Sequence, residues 1–318
     1  MNSSPPVSAT VPADLPEHGL TVLERGWLSS NSVFMCNGGD TLVVDTGYVT
    51  HADQTVALIR SLLGGRGLDR IANTHLHSDH CGGNAALQSA WPSAVTAIPP
   101  GHAEAVRQWD TVTLTYEPTG QQCPRFGFDG CLMPGEQLRV GDLHWDIHAA
   151  PGHDAQAILL HEARLGILIS GDALWANGFG VVFPELEGEQ GFDEVGKTLD
   201  LIEGLAPTTV IPGHGPVFAG EGIAPALLRA RTRLKQFVEQ PTKHRWHALK
   251  VLLKFKLLEL QVVQRCVLEA WFSGSGYFQR ITRIDHAEVD TRDVFDKLIR
   301  DLAHVNALRI EGPLIVDQ

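Results

Sequence analysis

The sequence predicts an α/β protein, on three observations. Up to about residue 240, short runs of aliphatic and β-branched residues alternate with stretches of helical periodicity, the pattern of a sheet covered by helices. Histidines and aspartates gather at the ends of several of the strand-like runs, where open α/β sheets bind ligands. Beyond that point the pattern becomes mostly helical, which marks a small second unit.

Residues 1–19 are rich in Ser and Pro and lack both a basic stretch and an apolar stretch, so they read as a disordered lead-in rather than a secretory signal. Strand-like runs then open the fold at Thr21–Glu24, Val33–Cys36 and Thr41–Val44, with Asn37-Gly38-Gly39-Asp40 as a tight turn between the last two. Asp45-Thr46-Gly47 closes the third run, and His51–Leu63 has helical spacing that ends at Gly64-Gly65. A short strand over Arg70–Thr74 leads into the densest motif of the chain, and a helix is expected over Cys81–Ala90. A strand near Ala94–Ile98 and a helix from about Gly101 to Trp109 follow.

Thr111–Glu136 breaks the regularity with seven Pro and Gly residues, the signature of a long functional or mobile loop. Its Tyr116, Phe126 and Phe128 serve either to line a pocket or to pack the loop onto the body. Further strands are expected at Gln137–Val140, Leu143–His148, Ala157–His161 and Gly166–Ser170, then a helix over Glu221–Glu239. Pro241 marks the boundary of a second unit, 241–318. There His244–Trp271 reads as one long helix, apolar on more than one face and so buried between domains or across a homodimer interface. Thr291–Ala307 reads as an amphipathic helix, and a hairpin turns at Glu311-Gly312-Pro313.

Composition narrows the class. The chain carries 37 acidic against 25 basic residues, a formal net charge of −12, which argues against a dedicated partner of nucleic acid or anionic membrane. The longest apolar run, Val251–Val263, is interrupted by Lys254, Lys256 and Glu259 and is too short to span a bilayer. Five cysteines without a CxxC pair suggest neither a disulfide framework nor a zinc ribbon, and fit a reducing cytoplasm.

The motif Asn73-Thr-His75-Leu-His77-Ser-Asp79-His80-Cys-Gly82-Gly83 places four candidate ligands within six residues. Imidazole nitrogens and carboxylate oxygens suit zinc, iron or manganese, and a cluster so dense is costly without a cation. Three more candidates follow glycines at later strand ends: His153 in Pro-Gly-His, Asp172 in Ser-Gly-Asp and His214 in Pro-Gly-His-Gly. Glycine lets the backbone turn sharply and come close to a site. Each alone is weak, but five histidines and two aspartates together meet the needs of a two-metal hydrolytic centre.

The order HxHxDH, Gly-His, Gly-Asp, Gly-His-Gly, each after a strand, resembles the metallo-β-lactamase superfamily over roughly Leu20 to Gln240. The resemblance implies an αββα sandwich with the metals at one edge of two sheets, over a domain of residues 20–240. It implies that His75, His77 and His153 hold one divalent ion and Asp79, His80 and His214 a second. Asp172 would bridge the two, and Asp45 would support the ligands from behind. Two such ions, zinc foremost and iron or manganese as alternatives, make a bridging hydroxide available near neutral pH. Asp79 is the candidate to orient it or to pass on its proton.

Hydrolysis of a small-molecule ester, thioester or lactone is the expected activity. The oxygen-reducing diiron branch carries an acidic residue where this chain has His77. Glyoxalase II proteins share the ligand set but add a basic glutathione-binding segment not found here, and acyl-homoserine lactonases have a tyrosine in the slot of Trp175. The rival activity is a phosphodiesterase or endoribonuclease. It would use a winged-helix-like tail and the ten Lys and Arg between Arg229 and Arg265, against which stand Glu239 and Glu259. A third reading is a binding or regulatory protein that keeps the metal site.

Overall fold

A computed structural model describes residues 15–282 and 290–318. It shows two six-stranded sheets face to face. The first, in spatial order, is β1 (Leu20–Leu23), β2 (Ser32–Asn37), β3 (Asp40–Val44), β4 (Arg70–Ala72), β5 (Val95–Ile98) and β6 (Gly130–Cys131). The second runs from β7 (Gln137–Val140) through β8 (Leu143–Ala149), β9 (Ile158–Glu162), β10 (Ile167–Gly171) and β11 (Thr209–Pro212) to β12 (Phe218–Ala219). Alternation along the strands fills the space between them. Met35, Leu42 and Val44 of the first sheet meet Trp145, Ile147, Leu160 and Ile169 of the second.

Helices cover both outer faces, which gives the αββα order. On the first sheet, α1 (Ala52–Leu63), α2 (Ser78–Cys81), α3 (Asn84–Ala90), α4 (Ala103–Gln108) and α5 (Tyr116–Thr119) intervene between strands. Ile59, Leu63 and Leu87 pack there on Phe34, Val43 and Ile71. On the second sheet lie α7 (Gly191–Leu205), which comes after β10, and α8 (Ile223–Glu239), which comes after β12, while the short α6 (Phe183–Glu187) between β10 and α7 packs Phe183 and Leu186 against the C-terminal part. Leu199, Ile202 and Ala226 there cover Leu159, Leu168 and Val210. Of the lead-in, residues 1–14 lie outside the described residues, whereas Leu15 is buried in the sandwich core.

The C-terminal part departs from expectation at one point. The single helix read over His244–Trp271 is two helices, α9 (Pro241–Leu260) and α10 (Arg265–Gly274), separated by β13 (Val262–Gln264). Gln261 adopts a left-handed φ of 62°, and the next three residues pair with Leu314–Val316 instead of continuing the helix. Tertiary pairing overrides a helical pattern that β-branched Val262 and Val263 only weakly support. α11 (Gly276–Thr282) and α12 (Thr291–His304) follow, then the hairpin of β14 (Leu308–Glu311) and β15 (Leu314–Asp317). Leu252, Phe272, Phe278, Phe295 and Leu298 form the separate core of this part. Among the described residues no helix is long and apolar enough to cross a membrane.

Candidate metal centre

Five chain segments reach one edge of the sandwich, where β3, β4, β8, β10 and β11 end. They deliver Asp45, the His75–His80 motif, His153, Asp172 and His214 to a single buried cluster. Ligand atoms of His75, His77 and His153 lie within 4.8 Å of one another, as do those of Asp79, His80 and His214, and those of His75, His80 and Asp172. Asp172 stands between the groups: its carboxylate is 3.4 Å from His80 Nε2, 3.4 Å from His153 Nε2 and 3.8 Å from His214 Nε2. Asp79 Oδ2 is 3.1 Å from His214 Nε2, and His77 Nδ1 is 2.8 Å from His153 Nε2. All seven residues expected from the sequence are thus brought together.

Close backbone approach makes this crowding feasible. A Cβ on Gly213 would meet Asp172 Oδ1 at 2.2 Å and His80 Cε1 at 2.8 Å, and one on Gly180 would meet the His153 ring at 2.3 Å. Any side chain there would displace a member of the cluster.

Asp45 is held at a φ of 57°, a left-handed conformation that Asp and Asn tolerate better than most residues. From there it accepts hydrogen bonds from the Thr74 amide, from Thr74 Oγ1 and from His80 Nδ1–H, each at 2.8 Å. Because the Thr74 hydroxyl proton is given to Asp45, its oxygen is free to accept from His75 Nδ1–H at 3.1 Å. Asp45 therefore orients His80 directly and His75 through Thr74. His153 is set the same way, with Nδ1–H donating to the Val181 carbonyl at 2.6 Å. In each ring Nε2 is left facing the cluster, which is how outer partners select the nitrogen a metal receives.

Charge follows geometry. Burial pushes His75 well below the usual imidazole range, and brings His77 down to about 4. Burial pulls His80 down as well, but Asp172, Asp45 and Asp79 outweigh it and favour positive charge at that position. Burial alone would raise the Asp172 carboxyl, yet His214, His80 and His153 hold it well below the usual carboxylate range. Neutral His75 and His77 beside the ionised Asp172 are ready donors. Nε2 of His75 and of His80 are buried with no hydrogen-bond partner, an arrangement that is costly unless a cation is bound. The residues present fit divalent metal ions.

Several residues at the site carried no motif in the sequence. Asp154 Oδ2 is 3.6 Å from His77 Nε2, and only its place directly after His153 hinted at it. Asn31 braces the His214 loop by donating to the carbonyls of Pro212 and Gly215 at 2.9 and 2.8 Å. Trp27 stacks on His214 with ring centroids 5.5 Å apart and planes at 9°. Trp175 meets the same ring edge-on and donates its Nε1–H to Asp172 Oδ1 at 3.2 Å. Above the cluster, Trp27, Thr115, Gln121, Phe183, Leu252 and Phe255 are among the residues that wall a cleft. The loop after α4 and the helix α9 both contribute to it.

Comparison with known proteins agrees with this geometry. Residues 25–214 match the family model of the metallo-beta-lactamase superfamily. A hydroxyacylglutathione hydrolase of Erythrobacter litoralis is 28% identical over 187 residues, 58% of this chain and 62% of that protein. One from Dechloromonas aromatica is 31% identical over 177 residues, 56% of this chain and 54% of that protein. Each match thus spans less than two-thirds of the relative's own length. Among solved structures, a metallo-beta-lactamase family protein from Thermus thermophilus superposes with a TM-score of 0.53 at 17% identity, covering 94% of this chain and 99% of its own. A Cronobacter sakazakii metallo-beta-lactamase gives a TM-score of 0.56 at 18% identity, over 71% of this chain and 93% of its own. These structural likenesses speak for the fold, and the family match takes in well over half of the sequence. The chain belongs to the metallo-beta-lactamase superfamily.

Proposed function

We propose that the protein is a metal-dependent hydrolase of a small, uncharged ester, thioester or lactone. His75, His77 and His153 would hold one divalent ion, Asp79, His80 and His214 a second, with Asp172 shared between them. Zinc is the foremost candidate, with iron or manganese as alternatives, since imidazole and carboxylate donors accept all three and a given site of this kind generally binds zinc the most tightly of them. Bound there, the ions supply Lewis acidity and a water acidified toward neutral pH.

The chain's own residues do the rest. Burial alone would raise the Asp79 carboxyl, but His80 and His214 bring it below the usual range, so it stays an anion, suited to orienting a water by accepting a hydrogen bond from it. Asp45 and the Val181 carbonyl fix three imidazoles before any substrate arrives, so little reorganisation is left for the reaction itself. Cys81, within the ligand motif, is no nucleophile: burial pushes its thiol well up, away from the reactive thiolate.

One observation carries the choice of substrate. Among the described residues that line the cleft there is no Lys or Arg, while aromatic and aliphatic side chains dominate its walls. Such a cleft suits an apolar acyl group, and beyond the metals themselves its walls offer no cation to a phosphodiester or to the carboxylates of glutathione. Five of the ten cations in the basic stretch that favoured a nuclease are paired with carboxylates, Lys235 with Glu239 among them. Arg231 pairs with Asp200 and Glu203, Lys254 with Asp317, Lys256 with Glu259 and Arg265 with Asp296.

The test is a panel of p-nitrophenyl esters, thioesters and lactones against bis-p-nitrophenyl phosphate, with metal content measured on the same sample. Turnover of the carbonyl substrates is expected. Turnover of the phosphodiester alone would reverse the assignment, and a chain that binds no transition metal would remove it.

A further inference from the structure

The second sheet carries another group of metal-ligating side chains, on its outer face and away from the cleft. Asp146 and His148 are two apart on β8 and so project to the same side. The alternating residues Leu143, Trp145 and Ile147 point the other way, into the sandwich. Across the antiparallel ladder Asp146 is paired directly with His161 of β9. A ligand atom from each of Asp146, His148 and His161 lies within 4.8 Å of the other two.

Two further observations mark this trio as more than a polar patch. His161 is 5% exposed, and its Nε2 and that of His148 are both buried with no hydrogen-bond partner. Nitrogens shut away in this manner are costly unless something binds them. Asp146, meanwhile, accepts through Oδ1 from Gln137 Nε2 at 2.8 Å, which holds the carboxylate and leaves Oδ2 for another partner.

We infer that Asp146, His148 and His161 form a further divalent transition-metal site. Two imidazoles and one carboxylate on adjacent strands give three donors on one side of an ion, and water completes the shell from solvent. The donor set suits Zn²⁺ or Co²⁺ and disfavours Ca²⁺ or Mg²⁺, which prefer oxygen. β8 and β9 are the two arms of the hairpin whose loop carries His153 and Asp154, so the ion cross-links the arms and stiffens that loop from behind. The site is structural: it touches no residue of the cleft.

The full chain, stripped of metal with a chelator and then dialysed against Co²⁺ alone, tests it. Wild type is expected to take up one ion more than either His148→Gln or Asp146→Asn, or to hold that ion at least about tenfold more tightly. Asp146→Asn keeps the shape of the side chain, so it remains informative if His148→Gln fails to fold; circular dichroism checks both. Asp172→Asn alters only the cleft and is expected to retain this ion, which separates failure of the outer site from failure of the catalytic one. Equal uptake and affinity in wild type and both outer-face variants would overturn the site and leave a water-bound polar cluster.

Discussion

Asp45 beneath the cleft and Phe255 in its wall are held by opposite kinds of force. Asp45 is fixed by three hydrogen bonds of 2.8 Å to Thr74 and His80, in a buried, low-dielectric setting where direction and charge count heavily. Phe255 is held by packing, with its ring edge-on to Tyr48 at a centroid distance of 5.1 Å. A directional network transmits any change to several ligands at once, whereas an apolar wall absorbs a change of shape locally. The floor of the cleft is therefore built for one chemistry, and its wall is free to vary with the substrate.

The largest expected effect tests the floor. Asp45→Asn retains a residue type that accepts the left-handed backbone, but an amide has one acceptor oxygen where the carboxylate has two, so it cannot accept all three of these bonds, and it carries no charge to favour His80. Metal affinity and kcat/KM are expected to fall by about 10- to 100-fold, while a conservative change in the wall such as Phe255→Leu alters KM among acyl groups by less than about tenfold. If Asp45→Asn behaved as wild type while Phe255→Leu abolished turnover, the contrast between floor and wall would be wrong.

The same contrast governs how much of the molecule is legible in its sequence. Asn73–Gly83 puts four ligands side by side, and His153, Asp172 and His214 each sit behind a glycine at a strand end, so chemistry and backbone demand coincide at every one. The αββα order is legible only through the family resemblance those motifs carry, since the alternation of strand-like and helical runs gives an α/β class and no more. Phe255, Phe183 and Trp27 are not legible, because an apolar residue in a helix or loop looks alike whether it faces a core or a cleft. The basic stretch of 229–265 is only partly legible for a similar reason: the carboxylates that pair with Arg231, Arg265 and Lys254, namely Asp200, Asp296 and Asp317, lie far off in sequence, so local charge counting does not register them. Tyr48 and His244 also carry no signal, although both tie wall to floor.

The next effect in size concerns that tie. His244, at the start of α9, accepts a hydrogen bond from the Val182 amide at 3.1 Å, beside the Val181 carbonyl that orients His153. Acceptance requires a neutral Nε2, and burial, with help from His247 and Arg245, brings this imidazole down to about 3. Because the folded value lies below the ordinary 6.5, the unfolded chain takes up the proton first as pH falls. Stability from this group is whole above about pH 6.5 and is lost toward about pH 3, at no more than about 1.4 kcal/mol per pH unit. Urea unfolding at intervals from pH 7 down to about pH 4.5 measures the slope, above the range where most carboxylates add their own. The other buried imidazoles, His75, His77, His153 and His247 among them, add slopes of the same sign. His244→Gln, whose amide oxygen still accepts from Val182, is therefore expected to lessen the slope by up to about 1.4 kcal/mol per pH unit rather than remove it, and an unchanged slope would detach α9 from the floor.

The smallest effect isolates one atom. Tyr48 follows Gly47 in the metal-bearing module, and its hydroxyl donates to Glu259 Oε2 of α9 and accepts from the Gln122 amide, both at 2.9 Å. Lys256 closes the node by reaching Glu259 and the Gly120 carbonyl, so module, loop and helix meet at one phenol. Tyr48→Phe leaves the ring packed on Phe255 and removes only the hydroxyl. Glu259 keeps Lys256 and the Gln122 side chain as partners, so the main loss is the acceptor of one amide, worth about 1–2 kcal/mol of unfolding free energy. The loop after α4 would then be less firmly seated beside the cleft, and KM is expected to rise while kcat and metal content stay level. A fall in kcat without change in KM would mean that this node acts on the ligands themselves, and that wall and floor are one network rather than two.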